Sequence, residues 1–279
     1  MSGLNEEYLK KGLEMKRQSF VNKYGPWAVV TGASDGIGQA FAEELAALGV
    51  NLVLVARRED RLRQVAEHIR QAHGVQARVI AADLAHPEGR TAVEQETEDL
   101  DVGLLVAAAG FGTSGPLLNA DPDVERNMLQ VNCLAVLEQS IAFSRRFVKR
   151  GRGGIILMAS LLSWQGVPTA AHYAATKAYV QSLAEGLHRE LAPFNVHVLA
   201  SAPGPVNSGF ASAADMRMGK ADTPSTVAKV SLQALGRKAT VIPGAFGKFL
   251  TYSLLPLPRA VRVRILAGVM GGMTRHQTA

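Results

Sequence analysis

Cysteine is nearly absent from this sequence, since Cys133 is the only one among 279 residues. No intramolecular disulfide can form, so a small scaffold held together by disulfide bonds is excluded. This cysteine usage fits a reducing compartment, and we expect a cytoplasmic protein in which Cys133 is a buried core thiol. Aromatic residues make up only 6% of the chain. Without an aromatic-rich basic groove or a known reader motif, nucleic-acid binding is not expected.

Long apolar runs are also missing. None reaches the roughly 18 residues that a membrane-spanning helix needs. The first 25 residues carry charges throughout, so they predict a charged amphipathic helix rather than a secretory signal. The histidines form no HExxH-like arrangement, and no metal site is expected.

Acidic residues are scarce in the last quarter of the chain. Residues 215–279 contain ten Lys and Arg but only two Asp, and no acidic residue follows Asp222. The segment FLTYSLLPLPRAVRVRILAGVM places three arginines among apolar residues. This pattern has two interpretations. The segment makes peripheral contact with anionic lipid or acyl substrates, or it is a helical cap whose apolar side packs on the core or on a second subunit.

Apolar runs and helical patterns alternate through the rest of the chain, which at 47% hydrophobic residues is suited to a large α/β domain. The runs are almost continuously apolar, as in a parallel sheet covered on both faces. We therefore predict a doubly wound (Rossmann) sheet of about seven strands with helices on both faces. This catalytic domain spans residues 26–245, between an N-terminal helical extension (1–25) and a basic, apolar C-terminal extension (246–279). The predicted strands are 27–33, 51–56, 77–83, 101–109, 153–160, 195–202 and 239–244.

A glycine-rich turn, TGASDGIG, follows the first predicted strand and opens a helix. Gly32, Gly36 and Gly38 lack a Cβ, so the backbone can approach a pyrophosphate and the helix can pack closely on the sheet. The helix N-terminus offers free N–H groups to phosphate. An ordinary tight turn is the alternative, but the position after the first strand favours dinucleotide binding. Ser34, Asp35 and Ile37 lie in the same turn and are further candidate cofactor contacts.

The end of the second predicted strand indicates which dinucleotide binds. Enzymes of this fold that use NAD usually have an acidic residue there, whereas this chain has Ala56, Arg57 and Arg58. Guanidinium groups match a ribose 2′-phosphate, so NADP(H) is favoured over NAD(H). Alternatively, both arginines are merely solvated. Asp83, with Leu84 beside it, ends the third strand and is placed to accept a hydrogen bond from the adenine amino group.

The segment AHYAATKAYV carries two polar groups, Tyr173 and Lys177, four residues apart. On a helix they lie on one face, where the ammonium favours phenolate and lowers the pKa of the tyrosine. A surface Tyr–Lys pair is the ordinary alternative.

Further motifs occur in a fixed order. Asn132 lies in LQVNCLA, Ser160 closes the fifth predicted strand, and Tyr173 follows thirteen residues later in YAATK. PGPVNS follows the sixth strand at 203–208. Together with TGASDGIG these motifs resemble the short-chain dehydrogenase/reductase family, whose patterns include TGxxxGxG and YxxxK. The resemblance covers residues 27 to about 210. Within the family, GPWAVVTGASDGIG is most similar to 3-ketoacyl-CoA reductases and 17β-hydroxysteroid dehydrogenases.

The resemblance implies a catalytic tetrad of Asn132, Ser160, Tyr173 and Lys177. Tyr173 would exchange a proton with the substrate oxygen, which Ser160 orients, while Lys177 holds the nicotinamide ribose and Asn132 holds a water. The implied activity is NADP(H)-dependent interconversion of a lipophilic ketone and a secondary alcohol, by a homodimer or homotetramer paired through the helices around 121–150 and 170–192. Further cofactor contacts implied by the family pattern are Gly110, Pro203, Gly204, Val206 and Ser208, together with Tyr173 and Lys177.

Two departures and several open assignments remain. The family's usual NNAG is AAAG here, at 107–110, which questions local rigidity, and Ser208 stands where threonine is commoner. Trp164 and Phe210 are candidate substrate walls or core residues, His172 is a weaker candidate, and 209–224 is the expected substrate lid. A non-catalytic NADP-binding regulatory protein is the alternative function. An epimerase or dehydratase is disfavoured because those proteins carry GxxGxxG and a larger C-terminal domain.

Overall fold

The computed structural model describes residues 14–277 apart from 16, 218 and 220. In that part of the chain, seven parallel strands form one sheet in the order β3-β2-β1-β4-β5-β6-β7. This confirms the predicted doubly wound sheet. The strands are β1 (Trp27–Thr31), β2 (Asn51–Ala56), β3 (Ala77–Ala81), β4 (Val102–Ala107), β5 (Gly153–Met158), β6 (Val196–Ser201) and β7 (Thr240–Val241).

Helices cover the sheet on both sides. They are α1 (17–24), α2 (Gly36–Ala47), α3 (Glu59–His73), α4 (Pro87–Gln95), α5 (Pro122–Leu129), α6 (Ala135–Arg150), α7 (Ala171–Glu190), α8 (Phe210–Ala213), α9 (Pro224–Ala234), α10 (Ala245–Leu254) and α11 (Arg259–Thr274). No helix in the described residues is long and apolar enough to cross a membrane.

Alternate residues of each strand enter two cores. In β1, Val30 packs in a core with Phe41 of α2 and Leu62 of α3, while Val29 faces a second core with Phe143 of α6 and Val180 of α7. Successive side chains of a strand point to opposite faces, and burial on both faces explains the continuous apolar runs.

The predicted strand ends extend too far at the carboxyl edge of the sheet. β4 stops at Ala107 rather than at 109, and β5 stops at Met158 rather than at Ser160. The apolar pattern continues past each strand, but its last residues leave the sheet and line the clefts at this edge. Hydropathy alone does not mark where pairing ends.

The long helix predicted around 121–150 is interrupted. α5 passes through a π-helical turn, Gln130–Leu134, before α6 begins. The turn carries Asn132, and π-turns are frequent at functional sites. α6 ends at Gly151 and α3 ends at Gly74, each in a left-handed conformation that glycine adopts without strain.

Both extensions pack on the central domain. In α1, Phe20, Val21 and Tyr24 contact the first core, whereas the rest of the predicted helical extension, residues 1–13, lies outside the described residues. At the other end, Leu266 and Met270 of α11 join a third core cluster, whose other buried members are Val167, Ala170, Ala174, Ala214, Met216 and Leu254. The inner side of the C-terminal extension is therefore a helical cap, one of the two interpretations of its sequence.

Candidate active site

The glycine turn between β1 and α2 has the backbone that its sequence predicts. Gly32 and Gly36 have φ of 68° and 55°, and a Cβ on Gly38 would lie 2.2 Å from the Gly32 carbonyl oxygen. Side chains at these positions would strain or displace the turn. Asp35 caps α2 by accepting a 2.7 Å hydrogen bond from the Gly36 N–H. The remaining free N–H groups of the first turn are available to a phosphate.

A cleft runs along this turn at the carboxyl edge of the sheet. Twelve predicted cofactor contacts line it: Gly32, Ser34, Asp35, Gly36, Ile37, Gly38, Arg57, Arg58, Asp83, Leu84, Gly110 and Ser208. Asp83 is held in place, since its Oδ1 accepts a 3.0 Å hydrogen bond from the Ala85 N–H. The glycine backbone, the helix N-terminus and the open cleft fit a dinucleotide.

Two exposed arginines stand at the end of β2. Arg58 donates a 3.3 Å hydrogen bond to Ser34 Oγ and lies 3.7 Å from the Asp35 carboxylate. Arg57 makes no side-chain hydrogen bond or ion pair with any other described residue, so its guanidinium can reach into the cleft. The pair offers donors to an anion at the place where a ribose 2′-substituent enters this fold.

Strand β4 is supported by its neighbour where the family's asparagines are replaced. The Ala109 N–H donates a 3.0 Å hydrogen bond to the Thr31 hydroxyl at the end of β1. A side chain of the adjacent strand therefore restrains the AAAG segment. Gly110 follows, and a Cβ there would lie 2.9 Å from Asn132 Oδ1 and 3.5 Å from Lys177 Nζ.

Ser160 and Lys177 are fixed relative to each other by Ser163. Ser160 directly follows β5 and caps the short 3₁₀ turn Leu161–Trp164, with its Oγ accepting from the Leu162 N–H at 3.2 Å. Ser163 Oγ accepts from the Ser160 N–H at 3.1 Å and donates to the Lys177 carbonyl at 2.9 Å. These bonds tie the end of β5 to α7.

Tyr173 and Lys177 lie one turn apart on α7, as predicted, but they are buried rather than on the surface. Burial raises the pKa of the Tyr173 hydroxyl to about 12, opposed by its hydrogen bond with the Ser160 side chain. Burial lowers the pKa of Lys177 to about 8, opposed by Cys133, and its Nζ donates a 2.8 Å hydrogen bond to the Met158 carbonyl. The expected lowering of the tyrosine pKa by Lys177 is not met in this structure, because burial of the phenol is the dominant effect.

Asn132 lies behind the two clefts and lines neither of them. Its amide forms two hydrogen bonds with the Phe111 backbone, accepting at 3.1 Å and donating at 2.8 Å, and it also donates to Thr176 Oγ1 at 3.1 Å. It therefore joins the π-helical turn, the segment after β4 and α7. Its predicted role as a water holder stays a prediction.

A second, largely apolar cavity adjoins the dinucleotide cleft. Ile37, Ala108, Gly110, Ser208 and Phe210 line both spaces, so the two meet. The cavity brings together Ser160, Tyr173 and Lys177 with the predicted contacts of the sixth strand's loop, Pro203, Gly204, Val206 and Ser208. Among its described lining residues, the polar side chains are Ser160, Tyr173, Lys177 and Ser208, and the others are apolar or glycine.

Most of the apolar wall was not predicted from the sequence. α10 and α11 contribute Phe246, Leu250, Leu266, Val269, Met270 and Met273. In the sequence, only the apolar character of the C-terminal segment points to this wall. That character fits packing on the core, on a second subunit or on a substrate equally well. From the expected lid at 209–224, Phe210 and Met216 line the cavity.

Of the three other candidate site residues, the structure places Phe210 at the cavity and Trp164 and His172 outside it. The Phe210 ring lies 5.3 Å from the Tyr173 ring, centroid to centroid, so Phe210 is a wall of the site. Trp164 does not line the cavity and packs against the second core, so of its two predicted roles the structure supports core packing. His172 Nδ1 lies 2.5 Å from Glu125 Oε2 outside the cavity. Cys133 is buried as predicted. No cluster of His, Cys, Asp and Glu suited to a metal occurs among the described residues.

Comparison with known proteins identifies the family of this chain. The family described as short chain dehydrogenase matches residues 26–218. This chain belongs to that family. It is 32% identical over 234 residues to a 7beta-hydroxysteroid dehydrogenase of Clostridium sardiniense, covering 82% of this chain and 90% of that protein. It is also 32% identical to the very-long-chain 3-oxoacyl-CoA reductase-B of Danio rerio, over 92% of this chain and 83% of that protein.

A solved structure agrees with this assignment. The short-chain dehydrogenase from Sphingobium yanoikuyae in complex with NADPH superposes with a TM-score of 0.74 at 29% identity, covering 88% of this chain and 94% of that one. The chain is thus an oxidoreductase of the short-chain dehydrogenase family, acting between CH–OH and C=O groups.

Proposed function

We propose that this protein interconverts a lipophilic ketone and the corresponding secondary alcohol with NADP(H), using Tyr173 as the general acid and base. The observation that carries the proposal is the position of Tyr173. Its buried side chain and that of Ser160 line the apolar cavity where this adjoins the glycine-rich cleft. A carbonyl group in the cavity can therefore meet a proton donor beside the cofactor cleft.

Each polar group of the site has a task in ketone reduction. The bound nicotinamide supplies the hydride that forms the new C–H bond. Tyr173 donates the proton that completes the alcohol, and Ser160 donates a hydrogen bond that orients the substrate oxygen. With a pKa of about 8, most of Lys177 is protonated at neutral pH, and its charge favours the phenolate that Tyr173 leaves behind.

NADP(H) is the favoured cofactor. Arg57 and Arg58 reach the dinucleotide cleft from the end of β2, where Ala56 replaces the acidic residue typical of NAD enzymes. Guanidinium groups bind a 2′-phosphate through charge-assisted hydrogen bonds. The NADPH complex of the Sphingobium yanoikuyae relative supports the same choice.

The substrate is proposed to be steroid-like or a long-chain 3-oxoacyl compound. The cavity is lined by leucine, methionine, valine and phenylalanine side chains, which suit an uncharged apolar body. The two relatives, named as a hydroxysteroid dehydrogenase and a very-long-chain 3-oxoacyl-CoA reductase, support these two substrate classes.

We also propose a cytoplasmic homodimer or homotetramer. Exposed apolar side chains on α5, α6 and α7 support pairing through these helices, namely Val124, Leu129, Ile141 and Tyr179. Light scattering coupled to size-exclusion chromatography measures the assembly directly, and a monomer would contradict it.

A panel of ketones tests the proposed activity. Purified protein is incubated with NADPH or NADH and with steroid ketones, 3-oxoacyl thioesters and small ketones, and the loss of absorbance at 340 nm is followed. We expect oxidation of NADPH with at least one apolar ketone, faster than of NADH. The alternative, a non-catalytic NADP-binding regulatory protein, predicts NADPH binding by fluorescence without turnover of any carbonyl compound.

A further inference from the structure

The apolar residues on the inner face of the α10–α11 hairpin are explained by the core and by the substrate cavity. Leu254 and Leu266 are buried in the third core cluster, and Leu250 and Val269 line the substrate cavity. These side chains therefore do not explain the rest of the apolar residues in the two helices.

The outer face of the same hairpin is apolar although it is exposed. On α10, Phe249 and Tyr252 are spaced three residues apart on this face, and their exposed fractions are 71% and 63%. On α11, Val261 and Ile265 are exposed one turn apart. Exposed aromatic and aliphatic side chains grouped on one face of a helix mark an interaction surface.

Positive charges accompany these apolar side chains. Lys248 lies four residues from Tyr252 and Arg264 lies three residues from Val261, so each cation shares a helix face with an exposed apolar side chain, and both cations are exposed. No acidic residue follows Asp222 in the sequence, so the hairpin itself offers these cations no carboxylate. The surface is both apolar and cationic, and its partner must match both properties.

We propose that the outer face of the α10–α11 hairpin docks on an anionic lipid surface. Phenylalanine and tyrosine side chains enter the interfacial zone of a bilayer, while lysine and arginine side chains attract its phosphates. A second copy of the same face is a poorer partner, because a two-fold contact would bring two faces together that both carry Lys248 and Arg264 and no acidic residue. The hairpin lies on the surface and does not cross the membrane.

This docking would place one wall of the cavity next to the lipid. Leu250 and Leu266 line the cavity on the inner side of the helices whose outer side bears Tyr252 and Arg264. A lipophilic ketone dissolved in the membrane would then meet the hairpin first. This consequence rests on the proposed function, whereas the docking itself does not depend on any activity.

Vesicle co-sedimentation tests the docking. The full chain is mixed with vesicles of phosphatidylcholine alone, or of phosphatidylcholine with 30 mol% phosphatidylglycerol, at low and high salt. We expect binding to the anionic vesicles only, weakened by salt. The double variant Phe249→Glu/Tyr252→Glu and the double variant Lys248→Glu/Arg264→Glu should each lower the partition coefficient at least tenfold, since each basic residue near the surface contributes roughly fivefold.

Matched controls lie elsewhere on the surface. Leu118→Glu changes an apolar side chain that is 97% exposed, and Arg61→Glu reverses an exposed charge on α3. Both should bind vesicles as the wild type does. Circular dichroism checks that each variant is folded, and NADPH turnover of a water-soluble ketone without vesicles separates this test from that of the proposed function.

Three results would overturn the docking: no binding to anionic vesicles at low salt, equal binding to both vesicle types, or hairpin variants that bind as the controls do. If Phe249→Glu/Tyr252→Glu left vesicle binding unchanged but converted an oligomer to a monomer, a second copy would be the occupant of this face.

Discussion

The hydroxyl of Ser163 donates a 2.9 Å hydrogen bond to the backbone carbonyl of Lys177 and accepts one from the Ser160 N–H at 3.1 Å. One buried side chain thus sets the distance between the residue proposed to orient the substrate and the helix proposed to deliver the proton. Ser163 contacts neither cleft, so its expected role is to position the other residues.

Replacement of Ser163 by alanine tests whether this residue positions Ser160 and α7 without contributing to NADPH binding. The change leaves a buried N–H and a buried carbonyl without this partner, and we expect a loss of about 1–3 kcal/mol in the free energy of unfolding. We also expect kcat to fall several-fold while the Kd for NADPH stays unchanged. Urea denaturation, steady-state kinetics and NADPH fluorescence measure these quantities. Ser225→Ala, which removes a hydroxyl bonded to Glu44 away from the site, should alter neither kinetic constant.

The variant Tyr173→Phe removes the proposed acid and base but retains the ring that packs on Phe210. We expect turnover to fall by about 10²–10⁴, the usual contribution of a positioned proton donor. NADPH binding should persist within a few-fold, because the glycine turn and the arginines are unchanged. Full activity of the variant would show that Tyr173 is not the acid and base. A loss of turnover with unchanged NADPH affinity would argue against a purely regulatory protein.

The buried lysine should give a pH-dependent stability. The folded protein releases the Lys177 proton at a pKa of about 8, whereas the unfolded chain retains it up to the ordinary value of 10.5. Between these values the unfolded state binds more protons, so this residue makes stability rise with pH. Compared with Lys177→Met, the wild type should gain about 3 kcal/mol from pH 7 to 10.5.

Urea denaturation of both proteins at pH 7, 9 and 10.5 measures that difference. Lys149→Met, which replaces an exposed lysine near the end of α6, should show no such trend relative to the wild type. A constant difference between Lys177→Met and wild type across this range would mean that Lys177 titrates like a solvated amine.

The two arginines after β2 should decide between the cofactors. Because their guanidinium groups face the dinucleotide cleft, Arg57→Ala/Arg58→Ala should raise KM for NADPH at least tenfold and leave KM for NADH within about threefold, as expected for the loss of charge-assisted bonds to a phosphate. Initial rates with both cofactors and one ketone measure this. Arg61→Ala, on the exposed side of α3, is the control. Equal losses with NADPH and NADH would contradict recognition of the 2′-phosphate.

Local patterns predicted the sheet and much of the candidate site. Continuous apolar runs revealed the seven strands, and the glycines of the turn were identifiable because only they tolerate its backbone and close packing. Tyr173 and Lys177 were predicted to share a helix face. Their burial, which reverses the expected shift in the pKa of the phenol, depends on residues brought in from β5 and the C-terminal helices. No local pattern contains that information.

The other features that the sequence does not predict also depend on contacts between distant parts of the chain. The π-helical turn at Asn132 depends on hydrogen bonds to Phe111 and Thr176, 21 residues before it and 44 residues after it. The inner face of α11 carries apolar residues that suit a core, a subunit contact or a substrate wall equally well. The sequence leaves Trp164 open between a substrate wall and a core residue, and the 3₁₀ turn after Ser160, which directs it to the second core, decides between the two.

Phe210 lies where the dinucleotide cleft and the apolar cavity meet, and it lines both of them. Any shift of this ring that improves the fit on one side reshapes the surface offered to the other. The affinities for the two reactants are therefore expected to be coupled, and thermodynamic reciprocity requires each to change the other by the same factor.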